Sequence, residues 1–121
     1  MFEQIDQKKA RLDANRPLPK YTLSSLREKL LLEWTYNSNA IEGNTLTINE
    51  TKIVLEGITV GEKTMHEHLE VINHRDAITF VEEIVQSKEP LSEWQIKNLH
   101  RLILKGINDD YAGIYRDQHV F

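Results

Sequence analysis

The chain has 121 residues, of which 40% are apolar and 28% are charged, and its formal net charge is −4 at pH 7. This composition is typical of a folded globular protein and not of a disordered one. An acidic balance without a block of Lys and Arg argues against a protein that binds the phosphates of DNA or RNA, so an unrelated helical DNA-binding module is a weak alternative. Because the chain has no cysteine, disulfides, thiolate metal sites and cysteine nucleophiles are excluded.

The N-terminus does not have the features of a targeting segment. Residues 1–6 lack the basic region and following apolar stretch that a signal peptide has. No apolar run approaches the roughly 18 residues that are needed to cross a membrane. We therefore expect a cytoplasmic protein with no membrane partner and no nucleic-acid partner.

Apolar residues recur at helical spacing along most of the chain and predict an all-α fold of about five helices. Thr47 with Glu50, and Ser92 with Gln95, have the spacing of capping boxes and mark the starts of the third and fifth helices. Thr22 is the predicted N-cap of the second helix. The predicted helices cover residues 2–14, 23–42, about 48–56, 65–87 and the stretch between Ser92 and Gly106.

Pro17 and Pro19 separate the first helix from the rest of the chain, because closely spaced prolines favour an extended segment. We therefore divide the chain into residues 1–20, an N-terminal helix with a linker, and residues 21–121, a helical domain. The apolar faces predict a core around Leu30, Trp34, Phe80, Leu99 and Ile103.

Three histidines and one loop resemble ligand-binding sites, but their spacing does not fit a metal site or a phosphate-binding loop. His66 and His74 would lie about 12 Å apart along one helix, too far for a single zinc ion with bonds of about 2 Å. We expect both, together with His68, on a polar outer face. The loop at residues 57–64 is not a P-loop, because Glu62 stands where Gly is required before Lys. We predict no metal site.

The last ten residues differ from the rest, since residues 112–121 have the pattern of a turn that leads into a strand. A lone strand is not stable in water, and no earlier segment has a strand pattern. We therefore expect the chain to be the front part of a longer protein.

An acidic residue near the end of the second predicted helix is unusual. Gly43 suits the left-handed position that ends a helix, which places Glu42 in the last turn, where the helix dipole disfavours a carboxylate. Ser38 lies one turn earlier on the same stripe. On spacing alone, a solvated Glu42 is the simpler interpretation; the alternative is a carboxylate that meets a cationic partner.

The motif Ser38-x-x-x-Glu42-Gly43 resembles the inhibitory-helix signature of Fic-domain proteins. The order of the later segments is also similar to the N-terminal half of that family, and the resemblance covers residues 20–121. It implies a Fic-like helical bundle, an inhibitory helix at about residues 22–43, and a C-terminal extended segment that begins the β-hairpin flap. In the family, this flap holds the backbone of the target protein by strand addition. The flap residues implied here are Gly113, Tyr115, Arg116 and Val120.

The catalytic motif of the family, His-Pro-Phe-x-x-Gly-Asn-Gly-Arg-x-x-Arg, does not occur in these 121 residues. We therefore expect the chain to bind no cofactor and to be inactive alone, whereas the complete family enzyme uses ATP and Mg²⁺. The resemblance implies that Glu42 pairs with the second Arg of the motif and keeps it from the ATP γ-phosphate. Ser38 would orient the Glu42 carboxylate.

Two functional hypotheses follow from the resemblance. The chain is the autoinhibitory and flap-proximal part of a protein adenylyltransferase, which moves AMP from ATP to a hydroxyl of an unknown target protein. Alternatively, it is a stand-alone, antitoxin-like inhibitor of a separate Fic core. In either case the remainder of a Fic core is an expected partner, and the apolar surface that it would cover makes a homo-oligomer plausible.

Overall fold

The computed structural model describes residues 1–117, and within them the chain forms five α-helices and no β-strand. The all-α prediction is therefore confirmed for this part of the chain. The helices are α1 (Glu3–Asp13), α2 (Lys20–Ile41), α3 (Ile48–Leu55), α4 (Met65–Gln86) and α5 (Glu93–Leu104).

The start of α2 differs from the prediction. Thr22 is not the N-cap, because the helix already begins at Lys20 and the Pro19 carbonyl accepts a hydrogen bond from the Leu23 N–H at 3.0 Å. Proline has no N–H to satisfy and its fixed φ suits a helix start, so the chain enters the helix directly after Pro19.

The chain contains two compact units, residues Met1–Leu30 and the residues from Leu31 onward. The first unit holds α1, which has no buried residue, and the first half of α2. The second unit holds the end of α2 and the other helices. The predicted division into residues 1–20 and 21–121 stays a prediction. Among the described residues, no helix combines the length and apolar character that crossing a membrane requires.

The core of the second unit is built around α4, on which both α3 and α5 pack. Leu46, Val54 and Val71 form its buried apolar cluster, and Ile72 and Val60 lie partly buried against it. Leu46 precedes the α3 N-cap and faces inward with Val54, so the segment after α2 takes part in the core. This burial is a main source of stability for the second unit.

The predicted core was wrong in its details. Trp34 has 55% of its surface exposed, and Leu30 and Ile103 are also exposed, while Phe80 and Leu99 are only partly buried. The residue of α2 that is fully buried is Thr35. Helical periodicity identifies the apolar face of a helix but not what packs on it. The described residues leave much of the surface of Leu30, Trp34 and Ile103 uncovered.

Capping boxes fix the starts of α3, α4 and α5, in which a Thr or Ser side chain and a Glu or Gln side chain satisfy each other's backbone N–H groups. The pairs are Thr47–Glu50, Thr64–Glu67 and Ser92–Gln95. The first and last pairs confirm the predictions, and the pair at the start of α4 was not predicted. Each box determines where its helix begins and therefore how the neighbouring loop leaves it.

Replacing Val71 with Ala should lower the free energy of unfolding by about 2 kcal/mol, because buried methyl groups are lost and a cavity remains. Val71 is 0% exposed. Urea denaturation measures the change. The control is Val85→Ala on the same helix, where the side chain is 69% exposed and the expected change is within about 0.5 kcal/mol. Equal losses for the two variants would show that Val71 does not belong to the core.

Candidate functional site

The end of α2 is closed by a Schellman-type arrangement at Gly43. The Asn44 N–H donates to the Asn39 carbonyl at 2.9 Å and the Gly43 N–H donates to the Ala40 carbonyl at 3.1 Å, while Gly43 has a φ of +99°. This geometry satisfies the last helical carbonyls and requires the left-handed conformation that glycine adopts without strain. The predicted helix stop at Gly43 is therefore confirmed, and Glu42 is the residue immediately after α2.

Glu42 is exposed, and Ser38, within the last turn of α2, is partly buried. Within residues 1–117, the Glu42 carboxylate makes no hydrogen bond or ion pair. The negative end of the α2 dipole lies beside it. A carboxylate in this position gains most from a guanidinium, which can form two parallel hydrogen bonds with it.

The segment that follows, residues 44–46, is anchored on α4 by a dense set of hydrogen bonds. The Asn44 side chain donates to the Glu67 carbonyl at 3.1 Å and accepts from the Leu46 N–H at 2.9 Å. The Thr45 N–H and hydroxyl both donate to Glu67 Oε2, at 2.7 and 2.6 Å. Lys63 Nζ donates to the Thr45 carbonyl at 3.0 Å. We call residues Asn44–Leu46 the junction.

A second anchor holds α2 about two turns before Glu42. The Thr35 hydroxyl and His74 Nδ1 on α4 are 3.0 Å apart in a hydrogen bond, and the Trp34 ring meets the His74 ring edge-on, with centroids 5.7 Å apart. Burial lowers the pKa of His74 below its usual value of 6.5. Because Thr35 is fully buried, the hydrogen bond also satisfies a polar group that would otherwise be costly to bury.

The predicted outward orientation of the histidines was wrong for His74 and His68. His68 is buried, where Nε2 accepts from the Val60 N–H at 2.9 Å and Nδ1 donates to the Thr64 carbonyl at 2.7 Å. These two partners require the neutral tautomer with its proton on Nδ1. Polar residues that satisfy loop and helix-cap groups can lie inward, and a helical pattern alone does not reveal them.

Lowering the pH should destabilise the folded chain through His74. Because burial lowers the His74 pKa only in the folded state, the unfolded state takes up the proton first as the pH falls. The free energy of unfolding should therefore decrease as the pH is lowered from about 7.5 to about 5.5. Urea denaturation of wild-type and His74→Gln chains across this range checks the effect.

His74→Gln should show a weaker pH dependence than wild type. The control is His66→Gln. His66 is on the same helix but its side chain is 59% exposed, so this variant should keep the pH dependence of the wild-type stability. If the free energy of unfolding of His74→Gln depended on pH as strongly as that of wild type, His74 would not be the group responsible.

The segment after α5 is positioned by a glycine. Gly113 is buried, has a φ of +77° and donates its N–H to His100 Nδ1 at 3.1 Å. A side chain there would be crowded, since a Cβ would lie 3.2 Å from the Lys97 carbonyl oxygen, closer than ordinary van der Waals contact. Lys97 Nζ also lies over the Tyr115 ring, 4.8 Å from its centroid, a cation–π contact. Residues 114–117 form neither helix nor strand.

Neither a metal-ligand cluster nor a P-loop sequence is found in the part of the chain that the structure describes. Among residues 1–117, no three His, Asp or Glu side chains are grouped closely enough to hold a metal. The loop between α3 and α4 has Glu62 in place of a phosphate-binding Gly. Of the predicted flap residues, Arg116 is exposed and Val120 lies outside the described part of the chain.

Comparisons with known proteins identify the family. The chain is 31% identical over its whole length to the protein adenylyltransferase Fic of Nematostella vectensis, and 35% identical over 79% of its length to protein adenylyltransferase fic-1 of Caenorhabditis elegans. A crystal structure of a Fic domain-containing signaling protein from Bacteroides thetaiotaomicron superimposes with a TM-score of 0.77 over 83% of the chain, at 36% identity. The chain belongs to the Fic family. No family model matches it.

The five helices have a Fic-like helical fold, which confirms that part of the prediction. The chain spans 29% of the length of the Nematostella relative, 19% of the Caenorhabditis relative and 38% of the Bacteroides protein. It therefore corresponds to a part of these Fic proteins. The inhibitory role of Glu42 and Ser38 and the flap role of Gly113, Tyr115 and Arg116 stay predictions.

Sequence reasoning missed the residues that hold the end of α2 in place. Thr64 and Glu67 have the spacing of a capping box and could have been recognised from it. The two bonds from Thr45 to Glu67, by contrast, join residues on different elements. The pairing of Thr35 with His74 had no local signal either, because the two residues are far apart in the chain and meet only when α2 and α4 pack.

Proposed function

We propose that this chain is the autoinhibitory and flap-proximal part of a Fic protein adenylyltransferase, an enzyme that transfers AMP from ATP to a hydroxyl of a protein. The observation that carries the proposal is the position of Glu42. It is an exposed acid at the negative end of α2, without a cationic partner among residues 1–117, within the Ser38-x-x-x-Glu42-Gly43 motif. The curated relatives named above are protein adenylyltransferases, which supports the reaction class.

Glu42 inhibits by pairing with an arginine that the remainder of the Fic core supplies. The favoured partner is the second Arg of the catalytic motif, whose guanidinium would otherwise bind the ATP γ-phosphate. A bidentate carboxylate–guanidinium pair, with its two charge-assisted hydrogen bonds, can compete for this arginine. Ser38, one turn earlier on α2, orients the Glu42 carboxylate.

Two further features of α2 fit a partner surface beside it. The Asn39 Nδ2 atom is buried and has no hydrogen-bond partner among the described residues, although an unsatisfied buried donor costs about 1–3 kcal/mol. Trp34 exposes more than half of its surface on the same helix. The remainder of the core would supply an acceptor for Asn39 and apolar contacts for Trp34.

The segment after α5 is the approach to the flap. The Gly113 N–H donates to His100 and the Tyr115 ring lies against Lys97, so two contacts with α5 residues position this segment. Tyr115, Arg116 and Val120 would then contribute to the strand that pairs with the target's backbone. An antitoxin-like inhibitor that acts on a separate core has no use for such a segment, which makes that alternative less favoured.

The reaction is tested with the full-length protein that carries Glu42→Gly, incubated with ATP and Mg²⁺. Intact mass spectrometry should detect AMP on the protein itself or on an added target, with release of pyrophosphate. The proposal is supported if the added group is AMP and wild type is modified more slowly. Absence of any nucleotide transfer by both proteins would overturn the enzyme assignment and leave the separate inhibitor as the function to test.

A further inference from the structure

One carboxylate, that of Glu67, connects the junction to the start of α4. Its Oε2 atom accepts from the Thr45 N–H and the Thr45 hydroxyl at 2.7 and 2.6 Å. Its Oε1 atom lies 3.4 Å from the Thr64 nitrogen and 3.3 Å from the Thr64 hydroxyl. A capping-box acid normally serves only its own helix. Here the shorter bonds go to another segment of the chain, the junction that follows the inhibitory motif.

The bonds between Glu67 and Thr45 are strong because they are charge-assisted. They lower the pKa of Glu67 from 4.5 to about 2, so the carboxylate is ionised and both bonds are present at neutral pH. Lys63 Nζ donates to the Thr45 hydroxyl oxygen at 3.1 Å. That hydroxyl can therefore accept from Lys63 while it donates to Glu67, which orients it further.

The anchored junction limits where Glu42 can lie. Thr45 is separated from Glu42 only by Gly43 and Asn44, and both of these are fixed by the hydrogen bonds that close α2. The Thr35–His74 contact holds α2 on α4 about two turns before Glu42. Glu42 therefore lies between two segments that are both hydrogen-bonded to α4, Thr35 before it and the junction after it. The junction is the nearer of the two.

We propose that Glu67 is a positioning residue for inhibition: by binding Thr45 it fixes the end of α2 and thereby holds Glu42 where it meets its arginine. This inference rests on the proposed inhibitory function of Glu42. In this role Glu67 acts through the position of the junction and not through contact with the nucleotide or the target.

The test compares four variants of the full-length protein with wild type in an AMP-transfer assay. Glu67→Gln removes the charge from the acceptor, and Thr45→Val removes the hydroxyl with little change in shape. Each should raise the transfer rate about five- to tenfold above wild type, the effect of weakening one charge-assisted hydrogen bond. Both should remain below Glu42→Gly. The matched control is Thr64→Ala, which removes the α4 cap hydroxyl but leaves the bonds to Thr45 in place.

Thr64→Ala should lower the melting temperature and leave the transfer rate at the wild-type value. If Thr64→Ala raised the transfer rate as much as Glu67→Gln does, the inference would be overturned. Loosening the start of α4 would then be enough to activate the enzyme without any change in the bonds to Thr45. Glu42→Gly activation without any activation by Glu67→Gln or Thr45→Val would also overturn it, while the proposed function of Glu42 would stand.

Hydrogen exchange separates the failure of this inference from the failure of the proposed function. In Glu67→Gln, the Thr45 amide should exchange about tenfold faster than in wild type, because its charged acceptor is gone. If the Thr45 amide exchanges faster but Glu42→Gly transfers AMP no faster than wild type, Glu42 is not inhibitory. The bonds between Glu67 and Thr45 are then only structural, and the positioning role is overturned. Unchanged exchange would reject the anchor itself.

Discussion

Replacing Glu42 with Gly should raise the rate of AMP transfer by the full-length protein by on the order of 10- to 100-fold, as expected when a hydrogen bond between charged groups is lost. The substitution removes the carboxylate that, in the proposed mechanism, competes for the arginine. It leaves the bonds that close α2 in place, since these involve only backbone atoms. Initial rates of AMP incorporation at saturating ATP measure the effect.

The chain contains a well-matched control for this substitution. Glu56 is also exposed, also occupies the position after the last residue of its helix, and also precedes a glycine with positive φ, Gly57. Glu56→Gly therefore removes the same charge from the same local setting and should leave the transfer rate unchanged. Equal rates for the two variants would contradict the specific role of Glu42. Ser38→Ala should give a smaller activation than Glu42→Gly.

Replacing Gly113 with Ala should lower the rate of target modification by about three- to tenfold, because even a small misplacement of the segment that we propose as the approach to the flap slows a reaction that depends on positioning. The new Cβ would lie 3.0 Å from the Arg101 guanidinium and 3.2 Å from the Lys97 carbonyl. Arg101 can move, but the carbonyl belongs to α5. The segment would therefore shift by a few tenths of an ångström, which would weaken the bond from the Gly113 N–H to His100.

Gly57→Ala is the control for backbone strain. Gly57 has a φ of +90°, and a Cβ added there would have no other atom within 4 Å, so Ala at this position has the strain of positive φ without the close contacts. Gly57→Ala should cost about 1 kcal/mol of stability and leave target modification at the wild-type rate. If both variants modify the target equally well, Gly113 does not position the flap.

Local chemistry made the helices and their ends predictable. The capping boxes of α3 and α5 and the glycine that ends α2 have signals within a few residues, and the structure confirms each of them. The start of α2 was misplaced because Thr22 is a good N-cap in isolation, whereas the carbonyl of Pro19 already accepts the first helical bond.

The packing was less predictable, because it depends on which elements meet. Trp34 has the hydrophobicity of a core residue but is exposed, while its neighbour Thr35 is buried against His74. The sequence motif predicts a role for Glu42, which stays a prediction, yet nothing near it in the chain indicated that Glu67 would bind the segment that follows. Contacts between α2, the junction and α4 arise only in the folded chain.

The most direct test of the account is the position of the Glu42 carboxylate in a crystal structure of the full-length protein. We expect it about 3 Å from the guanidinium of an arginine in the remainder of the Fic core, in a bidentate pair. The junction should keep its bonds to Glu67 in that structure. A Glu42 carboxylate that points into solvent, with the motif arginine paired elsewhere, would contradict the proposed mechanism of inhibition.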